Sequence, residues 1–370
     1  MTSERLRIGL IGAGANMRAR HIPRFREIDN VEIVAVSNRR PSSTTAAARE
    51  FGINKTFEHW QDLVADPEID AVVVGTWPYL HCPIALAAFE NGKHLLCEAR
   101  MSLNAAEAHQ MRSAARAHPE LVAQLVPSPF GLSGHDTVLE MLDAGFLGEL
   151  REVQVVHHSN ALANPDAPLP WRQDTALSGF NMLTLGILHE TLMRWVPAPV
   201  RVLAQVHAFI GSRIDPESGA RRSVGTPDSV QALAVLENGA RVSYHLSGVY
   251  PFDLGASIRL MGTQGVLHYD LTKDELTGSS LTMPVSGDGS LSKLPILPEK
   301  ERKWTVEADF VDSIRTGKGV RFTDFDSGVN YMEFTEAVAR SASTGHAIDL
   351  PLEFHSRTNQ RPNESRQADA

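Results

Sequence analysis

The chain has 370 residues, with 44 acidic against 35 basic and a formal net charge of −9. That length is more than one core fills and suits two domains. An acidic balance without a basic stripe excludes a nucleic-acid-binding surface. Cys82 and Cys97 are the only cysteines, which leaves no disulfide framework and no zinc pattern. No apolar run approaches the ~18 residues of a membrane span. The first residues lack the basic region and apolar stretch of a secretory signal. These features predict a cytoplasmic protein without membrane contact.

Ile8, Leu10 and Ile11 form a short apolar run read as a buried parallel strand. Gly12-Ala13-Gly14 follows at once, and Ala15, Asn16 and Met17 open a helix. Glycine accepts positive φ and lets another group touch the backbone. A helix starting there aims free N–H groups at a diphosphate. Gly12, Gly14, Ala15 and Asn16 are therefore cofactor-binding candidates. The third position of the dinucleotide fingerprint is Met17 rather than glycine, and the bland alternative is an ordinary tight turn.

Residues 32–36 form a second strand that ends at Ser37-Asn38-Arg39-Arg40. An acidic residue at this point would bind the ribose hydroxyls of NAD. An amide followed by guanidinium groups leans instead to NADP, with NAD as the alternative, and Asn38 and Arg39 as contacts. The competing view is that these arginines are solvated loop charges. Phe57, Trp60 and Leu63 predict a helix over 56–65. Residues 70–75 form a third strand running into Thr76-Trp77-Pro78-Tyr79-Leu80-His81, a loop where ligands sit in open α/β sheets. A helix over 83–90 stops at Asn91-Gly92. A fourth strand, 93–97, ends at Glu98-Ala99-Arg100-Met101, and Ser102 caps the next helix. After the strand 121–126, Pro127-Ser128-Pro129 marks a boundary.

A helix is predicted over 137–144, and strands over 152–156, 228–236, 241–246, 257–261 and 265–269. Asn238-Gly239 forms the hairpin turn. Residues 273–300 read as loop or irregular hairpin, 310–314 and 329–344 as helix. The division is a dinucleotide-binding domain over 1–126, a second domain over 127–355 and a polar tail over 356–370.

The order of these parts resembles the Gfo/Idh/MocA oxidoreductases. The likeness rests on Gly12-Ala13-Gly14, Thr76 through His81, Gly92 through Glu98, Gly145 through Glu149, Trp171-Arg172, Ser178-Gly179, Gly186, 261–265, Glu336-Ala337 and 341–345. It implies a Rossmann domain followed by an α+β domain built on a large, open, mostly antiparallel sheet. One sheet face lines a substrate cleft and the other makes subunit contacts in a homo-oligomer. It implies transfer of a hydride between NAD or NADP and a sugar, polyol or related hydroxyl compound. It also places Thr76, Trp77, His81 and Glu98 beside the cofactor.

Two departures from the family pattern bear on chemistry. Where relatives carry Glu-Lys-Pro, this chain has Glu98-Ala99-Arg100. Without proline a cis peptide costs about 3 kcal/mol, so a trans bond is expected. Arg100 then swings into the vacated space to orient a hydroxyl or carboxylate, or makes a surface ion pair. Where relatives carry Asp-x-Gly-x-His, alignment on Gly186 places Thr184 and Leu188, with His189 about 100° further round the helix. His189 is the expected base, against a hydrogen-bonded histidine turned from the cleft. Asn181, Thr184 and Thr191 share a spacing that suits sugar hydroxyls, or are plain helix surface. Trp171 offers a ring face and Arg172 a guanidinium to a sugar, with simple packing as the alternative for Trp171. At most one of His157 and His158 can face the cleft, because neighbours on a strand point to opposite faces. No cluster has metal-ligand spacing. The missing lysine and histidine keep a second reading open, a catalytically silent dinucleotide-binding sensor or partner subunit.

Overall fold

The computed structural model describes residues 5–127, 132–283 and 285–353. The expected tail, and Ser128 and Pro129 of the expected boundary, lie outside them. Six parallel strands make the first sheet: β1 (Leu6–Ile11), β2 (Val31–Ser37), β3 (Lys55–Thr56), β4 (Ala71–Val74), β5 (His94–Cys97) and β6 (Ala123–Leu125). Their order is β3-β2-β1-β4-β5-β6, the doubly wound arrangement with a crevice at the carboxyl ends of the strands. Helices α1 (Ile22–Arg26), α2 (Pro41–Phe51), α3 (Trp60–Ala65), α4 (His81–Glu90) and α5 (Ala105–Ala117) connect them. All four residues of β4 are buried, as a strand covered on both faces requires.

Two local expectations change. Residues 55 and 56 pair with β2 as an edge strand, and the helix starts only at Trp60. Asn104, not Ser102, caps α5, its Oδ1 accepting from Glu107 N at 2.9 Å. Ser102 is buried and donates to Asn104 O instead.

The second sheet has nine strands: β7 (Leu150–His158), β8 (Pro199–His207), β11 (Ser229–Leu236), β12 (Arg241–Ser247), β13 (Gly255–Gly262), β14 (Gly265–Asp270), β15 (Glu275–Ser280), β16 (Ser292–Lys293) and β17 (Ile348–Asp349). β15 and β16 pair antiparallel within the stretch read as loop or irregular hairpin, in keeping with the second alternative. A separate hairpin joins β9 (Ser212–Ile214) to β10 (Arg221–Ser223). Only β7 and β12 pair in parallel; the other neighbours are antiparallel. Val153 and Val155 of β7 turn inward, while Gln154 lies on the open face.

The inner face packs on α6 (His135–Asp143), α8 (Leu185–Leu192) and α10 (Phe325–Thr344), with the short α7 (Thr175–Ser178) ahead of α8. α10 also joins the two units. Its Tyr331 hydroxyl accepts from Met101 N at 2.5 Å, and Glu336 accepts from Ala105 N at 2.8 Å. A second tie runs through α9 (Val306–Thr316). His21 is fully buried, with Nε2 2.9 Å from Glu98 and Nδ1 2.6 Å from Glu307. Burial opposes its charge, but the bonds to Glu307 and Glu98 outweigh that and raise its pKa to about 9. Glu98, pushed up by burial, is held below its usual value by His21 in return.

A raised folded-state pKa gives stability that is complete below about 6.5 and lost as pH rises through about 9. The unfolding free energy should therefore fall by up to about 3 kcal/mol across that window. Urea unfolding at pH 6, 7.5 and 9 measures this, and His21→Gln should flatten the pH dependence.

Candidate active site

The cleft begins where the turn after β1 meets the turn after β4. Gly12 has φ +87°, and a Cβ there would lie 2.8 Å from Gly75 C and 2.7 Å from Thr76 N. A Cβ on Gly75 would lie 2.5 Å from Gly12 O. Two backbones this close leave room for glycine alone. Gly14, Ala15 and Asn16 stand exposed above them. The fingerprint's third position explains itself: Met17 is buried beneath the turn, and Met17–His21 forms a π-helical turn before α1. A cleft of about 560 Å³ opens from Gly12, Ala13 and Gly14 past Asn38, Arg39, Trp60, Thr76, Trp77 and Tyr79. This volume and this bare backbone fit a dinucleotide.

The side chains at the end of β2 are already engaged. Asn38 Oδ1 accepts from Ala13 N at 2.6 Å and Nδ2 donates to Ser43 O at 2.9 Å, so the amide braces the glycine turn. Arg39 and Arg40 both pair with Glu217, on the hairpin between β9 and β10. Arg39 also lies 5.1 Å from the centre of the Trp77 ring. Trp77 stacks on Trp171 at 5.9 Å and 17°, and Arg172 covers Trp171 at 4.3 Å. A column of two cations and two indoles thus links the first domain to the second.

His81, the first residue of α4, is buried, with Nδ1 2.9 Å from Arg100 O beyond the end of β5 and Nε2 3.0 Å from Thr76 O. Burial lowers its pKa against these contacts, and its work is to clip two loops together. Glu98 touches Asn16 as well as His21. The Ala99–Arg100 peptide is cis, not trans as expected, with its flanks held by His81 on Arg100 O and by Tyr331 on Met101 N. Arg100 makes no surface ion pair. It is 4% exposed, bonds Leu183 O, and leaves Nε without a partner. Burial, with Arg172 nearby, lowers its pKa to about 10.

His189 does not reach the cleft. It is 1% exposed, stacks on Phe334 at 3.7 Å and contacts the Tyr244 hydroxyl at 2.8 Å. Burial alone lowers its pKa to about 3. One step along α8 turned the ring into the core, and a hydrogen bond satisfied it there. Asn181 is also buried and donates to Ser102 O and Ser178 O, so it braces the loop before α8. Thr191 is buried and bonds back to Ile187 O. Thr184 alone of the three is placed for a site, with Oγ1 2.6 Å from His157 Nδ1. His157 was noted in the sequence only as one of two adjacent histidines. The alternation along β7 puts it on the helix side and His158 on the open face against Tyr250, ring centres 4.3 Å apart.

Among the described residues, no cluster could hold a metal ion and no helix is long and apolar enough to cross a membrane. Residues 6–124 match the family model described as an oxidoreductase family with an NAD-binding Rossmann fold. Residues 135–268 match the GFO/IDH/MocA C-terminal domain. The chain is 30% identical over 224 residues to an uncharacterized oxidoreductase of Rhizobium meliloti, spanning 59% of this chain and 62% of that protein. It is 23% identical over 392 residues to levoglucosan dehydrogenase of Pseudarthrobacter phenanthrenivorans, covering 94% of this chain and 99% of the other. It is 26% identical over 348 residues to 1,5-anhydro-D-fructose reductase of Ensifer adhaerens, covering 93% and 98%. A solved levoglucosan dehydrogenase in complex with NADH and L-sorbose shares the fold, with TM-score 0.82 at 22% identity over 94% of this chain and 99% of that one. Its glycine turn, its doubly wound sheet and both domain matches make this chain an NAD(P)-dependent oxidoreductase of the Gfo/Idh/MocA family.

Proposed function

We propose that this protein oxidises a secondary hydroxyl of a sugar or polyol to the ketone, or reduces that ketone in reverse, with His157 accepting the hydroxyl proton in the oxidative direction and returning it in the other. The contact between His157 Nδ1 and Thr184 Oγ1 carries the reading. Relatives named for levoglucosan, 1,5-anhydro-D-fructose and inositol support the substrate class.

Gly12, Gly14 and Glu98 would hold a dinucleotide, which would supply the hydride acceptor or donor. The chain supplies the rest. A hydroxyl proton must leave as its carbon loses hydride. With Nδ1–H donating to Thr184, His157 keeps a lone pair on Nε2, which makes no hydrogen bond among the described residues. Burial holds its pKa below 6.5, opposed by Asp253, so the ring is neutral and able to accept a proton at pH 7. Thr184 accepts from Nδ1–H in the tautomer that leaves Nε2 bare; as an uncharged hydroxyl that can also donate, it does not select that tautomer as an aspartate would. Arg100 stays protonated and orients; it does not accept the proton. Trp171, expected to offer a ring face to a sugar, instead has its ring between Trp77 and Arg172 and so steadies Arg172 beside the cleft.

Glu217 bears on cofactor choice. Its carboxylate already neutralises Arg39 and Arg40, so a 2′-phosphate must displace it. This favours NAD over the NADP suggested by Asn38 and Arg39. The exposed Leu203 (44%) and Leu233 (62%) on the open sheet face support self-association through that face.

His157→Gln should lower kcat by a factor of about 10² or more, with cofactor affinity unchanged. His189→Gln should instead lower Tm and leave kcat per folded molecule nearly intact. Steady-state assays at the reduced-nicotinamide absorbance, with thermal melts of both variants, separate the two roles. Equal losses of kcat would remove His157 as the base. Glu217→Gln should tighten NADP about threefold to fivefold relative to NAD, in keeping with an exposed ion pair; fluorescence titration with both reduced dinucleotides reads the change.

A further inference from the structure

Arg100, just after β5, and Arg172, on the turn over residues 171–173, make no ion pair with a carboxylate among the described residues. Arg100 is almost fully buried, bonds only Leu183 O, and has Nε orphaned. Arg172 is exposed beside it, with only the ring of Trp171 under its guanidinium. The nearest acid, Glu98, is already taken by His21 and Asn16. Arg194 pairs with Glu190, Arg302 with Asp136, and Arg39 and Arg40 with Glu217, while the buried Arg213, also without a carboxylate, spends its Nε and both terminal nitrogens on Gln173, Asn164, Ala167 and Leu162. An interior that leaves a guanidinium donor unmet, next to a second unneutralised guanidinium, matches a site whose acceptor arrives with the ligand.

The surroundings fix both groups in advance. His81 holds Arg100 O and the Tyr331 hydroxyl holds the following N–H. Ser178 and Thr226 hydroxyls both donate to Arg172 O, at 3.1 and 2.8 Å. Leu183, whose carbonyl receives Arg100, sits at φ +48°, a conformation that leucine rarely adopts and that collects at working sites. Its neighbour is Thr184, the partner of His157. The arginines, the backbone turn and the proton acceptor are therefore consecutive parts of one wall.

We propose that the substrate is a polyhydroxy carboxylate, an aldonic or uronic acid, whose carboxylate is received by Arg100 and Arg172 while a hydroxyl faces His157. The assignment rests on the hydroxyl-oxidising reading above and narrows it. A planar carboxylate suits a guanidinium edge through paired hydrogen bonds. Two fixed cations also favour an anion over its neutral parent without any change in shape.

The test is equilibrium binding, measured by calorimetry with and without NADH, so that turnover is not needed. Gluconate and glucuronate are compared with glucitol and glucose, and with glucose 6-phosphate. The carboxylates should bind at least tenfold tighter than their neutral parents, and added salt should shrink the difference. Arg172→Gln should erase that margin and Arg172→Lys should restore part of it, with NADH affinity unchanged in both. Equal affinity for acids and neutral parents overturns the proposal, as does preference for the phosphate ester. The broader reading fails separately: absorbance assays would then show no oxidation of any hydroxyl, whatever binds.

Discussion

The cleft depends on how closely two backbones approach. The turn after β1 and the turn after β4 touch through Gly12 and Gly75, with no space for a methyl group on either. That contact sets the carboxyl ends of the central strands level and leaves Gly14, Ala15 and Asn16 bare toward the crevice. The dinucleotide site is thus shaped by what the chain lacks at two positions. The side chains around it then act on a surface already fixed: Met17 fills the space beneath, Asn38 ties the turn to β2, and His21 anchors the following helical turn to Glu98 and Glu307.

Most of the architecture was legible because strands and glycine turns are written locally. Ile8, Leu10 and Ile11 followed by Gly12 read as strand and turn, and they are. The Asn238-Gly239 hairpin and the strands around it also stand where expected. The stretch over 273–300 was legible only as loop or irregular hairpin, since Gly, Ser, Pro and Thr there blur β15 and β16, whose pairing is supplied by β14 for β15 and by β15 for β16. Similarly, residues 55 and 56 become a strand only because β2 offers an unpaired edge.

The site was less legible, and the errors share a cause. Which way a side chain turns depends on neighbours distant in sequence. His189 had the right chemistry and nearly the right position, but Phe334 and Tyr244 made a slot for it in the core. Asn181 met carbonyl oxygens at Ser102 and Ser178 before any ligand. His157, the proposed proton acceptor, had only strand alternation to recommend it, and its partner Thr184 lies on another element. Arg39 and Arg40 looked available because Glu217 is far along the chain.

The second sheet is assembled out of sequence order. β7 lies between β12 and β13, so Glu152 pairs with Arg241 on one side and Met261 on the other. Its inward valines stay uncovered until a long downstream stretch has emerged and found them. Such non-local pairing carries a large loop-closure entropy and slows folding relative to the locally wound first sheet. The first sheet is not finished early either, because Val306, Phe310 and Val311 of α9 and Phe325, Val329 and Met332 of α10 complete its two cores, so both sheets wait for the last third of the chain.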